Sequence, residues 1–327
     1  MTKRIGLAVT NVGLPKMPPT QLQVVSSAQY EPQVVNVASI PQRSPFRYPG
    51  GKTWLIPYVR LWLKSSSSSV SVELIEPFAG GAIVGLTAGF EELARMVTLV
   101  ERDPDVGAVW HCIFGTDGEW LADQIVNFEI SHDAVRELFA SGEQSLRERA
   151  FSTILRNRVQ RGGILAPGAG LMKDGENGKG IRSRWYPETL RRRILAIAGI
   201  KDRFRFFEGD GIEFIKQNAH RQDVTFFIDP PYTVAGRRLY TYSDVDHEAL
   251  FQLATTIAGN FLMTYDDADE IRCLAAKYNF DTEQVAMKNT HHAKMKELLI
   301  GRNLDWARSR FPVNQVFPEF ASQMSQG

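Results

Sequence analysis

The chain has 327 residues, of which 43% are hydrophobic, 23% charged and 10% aromatic, the profile of a globular protein large enough to bury a real core. Its formal net charge of +1 names no partner, and no apolar run approaches the roughly 18–20 residues that cross a bilayer, so no membrane partner is expected. Two cysteines, Cys112 and Cys273, are too few for a disulfide framework or a zinc site, which favours a cytoplasmic, reducing setting.

The chain opens Met1-Thr2-Lys3-Arg4, but the apolar stretch that follows is too short for a secretory signal. Residues 1–43 hold Pro15, Pro18, Pro19, Pro32 and Pro41, which break any helical period, and read as a poorly ordered arm or one draped over the body. The serine run Ser65 to Ser69 reads as a surface loop. Val72 to Glu76 is a predicted strand, followed by a Gly-rich turn and a helix through Leu86 to Leu93. Met96 to Val100 is the next strand, closed by Glu101, and further strands are predicted at Phe204–Glu208, Val224–Ile228, Asn260–Thr264 and Glu297–Ile300. Near-continuous apolar strands alternating with helices predict an α/β fold with a mostly parallel sheet covered by helices on both faces. The alternation is interrupted between residues 115 and 203 by helix-like, Arg-rich and Gly-rich sequence. The predicted organisation is therefore a sheet domain from 44–114 and 204–310, a mainly helical inserted domain at 115–203, and a C-terminal tail at 311–327.

The neutral overall charge hides an asymmetry. Between Arg156 and Arg205 there are ten arginines and three lysines against Asp174, Glu176, Glu188 and Asp202, a surplus of nine positive charges that leaves −8 on the rest of the chain. A one-sided basic segment points to a polyanion-binding face, or to a solvated surface with acidic neighbours.

Three segments carry candidate chemistry. Glu76-Pro77-Phe78-Ala79-Gly80-Gly81-Ala82 follows a strand, where small residues let a nucleotide-like ligand approach the backbone; Glu101, about 20 residues on, closes the second strand and can accept bonds from ribose hydroxyls. Asp229-Pro230-Pro231-Tyr232 directly follows the apolar strand Val224 to Ile228. An aromatic amine is a poor nucleophile because its lone pair is delocalised into the ring. Asp229 and the Pro230 carbonyl can accept its N–H bonds, the prolines stiffen the turn, and Tyr232 offers a face on which an extruded base can stack. Pro45-Phe46-Arg47-Tyr48-Pro49-Gly50-Gly51-Lys52 lies upstream and lacks the spacing of a Walker A loop. His247, His291 and His292 have no Cys or carboxylate cluster at ligand spacing, so no metal is expected. Asp266-Asp267-Ala268-Asp269 reads as an N-cap and acidic first turn for a helix from Glu270 to Tyr278.

Arg47 to Lys52, Glu76 to Gly81 and Asp229 to Tyr232, in that order, resemble the Dam-type, alpha-group DNA adenine-N6 methyltransferases, and His292 to Ile300 is similar to that family's closing segment. The resemblance covers roughly residues 44–302. It implies a Rossmann-like S-adenosylmethionine-dependent methyltransferase sheet with an inserted target-recognition domain, and S-adenosyl-L-methionine as cofactor. It implies cofactor contacts from Tyr48, Lys52, Phe78, Gly80, Gly81, Glu101, Asp210 and Asp229, and catalysis by Asp229, Pro230, Pro231 and Tyr232. The chain departs from the family's FxGxG turn at the last position, where Ala82 replaces glycine. The basic segment becomes the surface for double-stranded DNA: Arg156, Asn157, Arg158 and Arg161 carry groups able to read bases, and Arg182, Arg184, Trp185, Arg191 and Arg192 supply phosphate contacts with an interleaved aromatic. The resemblance further implies base flipping, a prokaryotic or viral origin, and room for a restriction endonuclease counterpart; monomer and dimer both stay open. The rival readings are an RNA adenine or DNA cytosine-N4 methyltransferase, and a non-catalytic DNA-binding regulator on the same scaffold.

Overall fold

The structure, a computed structural model, describes residues 39–47, 51–65, 71–142, 144–166, 168–173, 178–231, 245–288 and 294–308. Among these, seven strands form one sheet: β1 (Ser71–Glu76), β2 (Ala94–Glu101), β3 (Phe204–Glu208), β4 (Val224–Ile228), β5 (Asn260–Asp266), β6 (Asp281–Lys288) and β7 (Lys294–Gly301). Their order is β3-β2-β1-β4-β5-β7-β6. The first five are parallel, with Leu74 opposite Val97 and Thr225, while β7 runs antiparallel to both β5 and β6. This is the mostly parallel sheet expected from the alternation, and it is Rossmann-like. The strand order reverses direction between β1 and β4, and open α/β sheets place their ligands outside the carboxyl ends at such a point.

Alternating side chains along the strands feed two cores. Leu74, Val97, Leu99, Phe227, Leu262 and Leu299 enter one apolar cluster; Ile75, Phe226, Ile228, Phe261, Met263, Leu298 and Ile300 enter the other. The first cluster is covered by α1 (Ile56–Ser65), α2 (Ile83–Phe90) and α3 (Pro104–Phe114), and the second by α8 (Gly211–Asn218), α9 (His247–Ala254) and α10 (Asp269–Lys277). Burial on both faces is why these strands read as continuous apolar runs. α11 (Asp305–Arg308) follows β7.

Between α3 and β3 the described chain forms helices and turns and adds no strand to the sheet. They are α4 (Gly118–Asn127), α5 (His132–Ala140), α6 (Leu146–Val159), α7 (Pro187–Ala198) and short 3-10 turns. Leu121, Ile154 and Ile194 belong to the same apolar cluster as the sheet residues Leu74 and Leu99, so these helices share a core with the sheet face.

Residues 1–38 and 309–327 lie outside the described residues, as does the serine run beyond Ser65. What is described of the expected arm packs on the body: Ile40 is buried in the first cluster, and Arg43 bonds Glu91 at 3.1 Å and sits over the Phe90 ring. Two sequence expectations need correction. β6 was not anticipated, because Asp281-Thr282-Glu283-Gln284 is polar, as an edge strand allows. The cap of α10 is Ala268, with no side-chain bond to the helix; Asp267 instead bonds Arg272 at 2.6 Å.

Candidate active site

A cavity of about 610 Å³ lies at the carboxyl ends of β1, β2, β3 and β4, and the helical segment closes its other side. Its floor comes from the loops that leave the strands. Glu76 ends β1 and Glu101 ends β2; Asp210 caps α8 after β3, and Asp229 follows β4. Phe78, Gly80, Gly81, Glu101, Asp210, Asp229, Pro230 and Pro231 all line the cavity, as does Lys52. Tyr48 and Tyr232 lie outside the described residues, and so do His291 and His292.

Local chemistry fixes each floor residue. The turn after β1 folds tightly, with Gly80 at φ 46° and Ala82 at φ 51°. Ala82, the departure from the family pattern, therefore adopts the left-handed conformation that glycine takes at no steric cost. The indole N–H of Trp110 on α3 donates to the Gly80 carbonyl at 3.0 Å, and the Gly80 N–H donates to Glu101 Oε2 at 2.8 Å. Glu101 Oε1 accepts from the Asp103 N–H at 2.8 Å, so backbone donors orient both oxygens of the carboxylate. Burial pushes Glu101 up to about 7. Glu76 is buried beneath the turn, where Oε2 accepts from the Gly85 N–H at 2.7 Å; burial, and the charge of Asp229 after it, push its carboxyl well above the usual range.

The electrostatic centre is a chain of three groups. Lys52, 4% exposed, places its ammonium 3.2 Å from Asp229 Oδ1 and 3.1 Å from Glu297 Oε1. Thr264 on β5 also donates to Asp229 Oδ1, at 2.7 Å. Burial pulls the Lys52 ammonium down, but Asp229 and Glu297 more than offset it and hold it above its ordinary value. Burial pushes Glu297 up to about 7 against the pull of Lys52, and among the described residues its Oε2 has no hydrogen-bond partner. Asp266, at the end of β5, is raised too, by burial and then by the Asp229 charge. One ammonium thus serves a group of carboxylates, two of which it bonds directly. Glu297 was not anticipated as a functional residue; a lone carboxylate at the head of Leu298-Leu299-Ile300 was the available signal.

The basic residues divide. Arg161 and Arg192 are exposed. Arg182 is also exposed, with its guanidinium on the Ile130 carbonyl. Arg156 pairs with Asp105 at 3.2 Å and lies over the Phe139 ring; Arg191 pairs with Asp123 at 3.4 Å. Asn157, Arg158 and Trp185 require correction as outward readers of DNA. Asn157 is fully buried: its Oδ1 accepts from the Arg47 N–H, and its Nδ2 donates to the carbonyls of Arg47 and Gly163, each at 2.8 Å. Gly163 has φ +74°, and a Cβ there would lie 2.6 Å from the Arg47 carbonyl, so this turn admits only glycine. Trp185 packs edge-on against Phe128 in the core, and Arg158 points into the cavity beside Arg184. His247, weighed as a ligand, pairs its Nδ1 with the buried Tyr265 hydroxyl at 3.0 Å. No group of His, Cys, Asp and Glu able to hold a metal occurs among the described residues, and no helix there is long and apolar enough to cross a membrane.

No family model matches the chain, and no curated protein does. Among solved structures, the chain is similar to a precorrin-6y C5,15-methyltransferase from Geobacter metallireducens, with 9% identity, 76% of this chain and 86% of that one covered, and a TM-score of 0.34. It is also similar to an rRNA methyltransferase from Streptomyces viridochromogenes, with 13% identity, coverages of 78% and 86%, and a TM-score of 0.35. A tRNA methyltransferase from B. subtilis matches at 11% identity, coverages of 75% and 67%, and a TM-score of 0.30. Superpositions this loose transfer no residue roles. What the fold and the cavity define by themselves is a Rossmann-like α/β protein with an acid-floored site at the switch point of its sheet.

Proposed function

We propose that the chain is an S-adenosyl-L-methionine-dependent methyltransferase of the Dam type, acting on N6 of adenine in double-stranded DNA. The observation that carries this reading is the placement of Asp229-Pro230-Pro231 at the carboxyl end of β4, in one cavity with the Gly80 turn and Glu101.

The residues present fit the cofactor. Glu101 would accept from ribose hydroxyls, Gly80 and Gly81 put no side chain over the floor, and Phe78 would supply an apolar wall. The bound cofactor supplies an electrophilic methyl group. Asp229 and the Pro230 carbonyl each accept an N–H bond from the adenine amine, drawing its lone pair out of the ring. Lys52 and Thr264 hold the Asp229 carboxylate in place, so little reorganisation is needed as charge develops on the nitrogen. The proton displaced from the methylated amine leaves toward the Asp229 carboxylate and solvent. Flipping the base costs a few kcal/mol, which stacking and these hydrogen bonds offset.

The test is Asp229→Ala. Lys52 keeps Glu297 as a partner in this variant, so folding and duplex affinity are expected within about threefold of wild type, while methyl transfer falls on the order of 10³-fold or more. Transfer that survives the substitution would remove Asp229 from the reaction. Product analysis separates the rivals: N6-methyldeoxyadenosine supports the reading, whereas N4-methyldeoxycytidine, or transfer to RNA alone, replaces it.

A further inference from the structure

Lys52 and Asp229 line the cavity, but the second carboxylate bonded to the Lys52 ammonium does not. That carboxylate is Glu297 on β7, 2% exposed. Its place is set by the register of the sheet. β7 runs antiparallel to β5 with Asp266 directly opposite Glu297, and antiparallel to β6 with Val285 opposite it. Residues opposite one another share a face, so Asp266 and Glu297 lie side by side, an unfavourable pairing of like charges unless a cation answers it. The cation is Lys52, carried by the 3-10 turn Lys52–Leu55 that leads into α1. Its Nζ lies 3.1 Å from Glu297 Oε1 and 3.2 Å from Asp229 Oδ1. Among the described residues, the charges acting most strongly on Glu297 are those of Lys52, Asp229 and Asp266. Glu283, on the same face of β6 two residues from Val285, is engaged by Arg308 at 3.1 Å.

This arrangement does more than neutralise charge. A lysine is a long flexible stem ending in three donors, and a single carboxylate does not fix where its ammonium sits; a second carboxylate does. Glu297 also competes for the ammonium. While ionised, it draws part of the positive field away from Asp229, and Asp229 keeps more of the negative charge with which it accepts an N–H bond. Once protonated, Glu297 releases the ammonium toward Asp229, which then accepts less strongly. Burial pushes Glu297 up to about 7, so the two conditions exchange in the neutral range.

We propose that Glu297 is a positioning residue of the methyl transfer: through Lys52 it places the Asp229 carboxylate and sets how much of its charge reaches the adenine amine. The role in transfer rests on the proposed function; the coupling of Glu297 to Asp229 through the ammonium does not.

Glu297→Gln is the working variant, because it keeps the shape of the side chain and an oxygen that can accept from Lys52 while removing the charge. The readout is the single-turnover rate at saturating S-adenosyl-L-methionine and duplex, between about pH 5.5 and 8.5. In wild type the rate is expected to rise on the order of tenfold through about pH 7, less than the loss of a group that touches the reacting atoms. Glu297→Gln is expected to lack this step and to stay at the acid limit of wild type, with KM for cofactor and duplex within about twofold. Glu297→Asp, which keeps the charge on a shorter stem, is expected to restore the step. Glu101 also titrates near 7 but is present in all three proteins, so it does not distinguish them. A step that persists in Glu297→Gln, or a raised KM in place of a lowered rate, would make Glu297 structural only and overturn the proposal.

The coupling is read without turnover by carbon-13 NMR of the ligand-free protein with carboxyl-labelled aspartate, the Asp229 signal being assigned by its loss in Asp229→Ala. In wild type that signal is expected to move in a step near pH 7, and in Glu297→Gln the step is expected to be absent. No step in wild type overturns the proposal whatever the activity, and this arm does not depend on a Glu297 variant folding. A step in the wild-type signal together with no methyl transfer to duplex would instead remove the methyltransferase reading, and the role in transfer with it, while leaving the coupling standing.

Discussion

The two sides of the cavity are built on opposite plans. On the floor, charged groups are answered from within the protein: Lys52 by Asp229 and Glu297, Glu101 by two backbone N–H groups, Asp210 by the α8 N-terminus. On the wall opposite, Arg158 and Arg193 donate to carbonyl oxygens, and the described arginines nearest Arg158 repel it. A preorganised floor suits chemistry, which needs groups already fixed in position. A wall of like charges raises the cost of burying each guanidinium instead.

Removing the ammonium of the floor should therefore destabilise the fold strongly, and removing one guanidinium of the wall should not. Lys52→Met leaves Glu297, Asp229 and Asp266 facing one another around an apolar group. Losing one partner of such an array costs about 3–5 kcal/mol, so the variant is expected to melt far below wild type, whereas Arg193→Gln is expected to melt at or slightly above it. Comparable losses in the two variants would erase the contrast. Gly211→Ala tests how tightly the floor is assembled. A Cβ there would lie 2.0 Å from the Pro77 carbonyl, forcing the β1 and β3 loops apart. A loss of about 1–3 kcal/mol is expected in denaturant unfolding, with weaker cofactor binding; unchanged values would contradict this packing.

Acid sharpens the comparison. Glu297 and Glu101 titrate near 7 in the folded protein, well above an unfolded glutamate, so the native state holds more protons between about pH 4.5 and 7. Stability of the ligand-free protein should then fall as pH rises through that window, by up to about 1.4 kcal/mol per unit for each group. Glu297→Gln should flatten the slope, and a slope unaltered by it would remove Glu297 as its source. The smallest effect is expected at Ala82, whose φ of 51° is strained for a side chain. Ala82→Gly should leave stability unchanged or raise it by no more than about 1 kcal/mol.

Much of the floor was legible in the sequence, because a buried parallel strand announces itself as an apolar run and its ligand-facing loop must follow directly. Phe226-Phe227-Ile228 ahead of Asp229, and Leu74-Ile75 ahead of the Gly80 turn, are such cases. β6 was hidden because an edge strand with one polar end has no apolar run. The burial of Asn157 and Arg158 was hidden for a different reason. Asn157 and Arg158 were read by residue type, although Ala150, Ile154, Asn157 and Arg158 follow the i, i+4, i+7, i+8 spacing of one helix face and are all buried. That spacing turns both polar groups inward, one onto the Arg47 backbone and one into the cavity. The pairing of Lys52 with Glu297, 245 positions apart, had no local signal.

The most direct test of the whole account is transfer of labelled methyl from S-adenosyl-L-methionine to unmethylated duplex DNA by the wild-type chain, with long-read mapping of the modified positions. Methyladenine confined to one short sequence motif is the expected result. Measurable cofactor binding without any label in duplex DNA would contradict it.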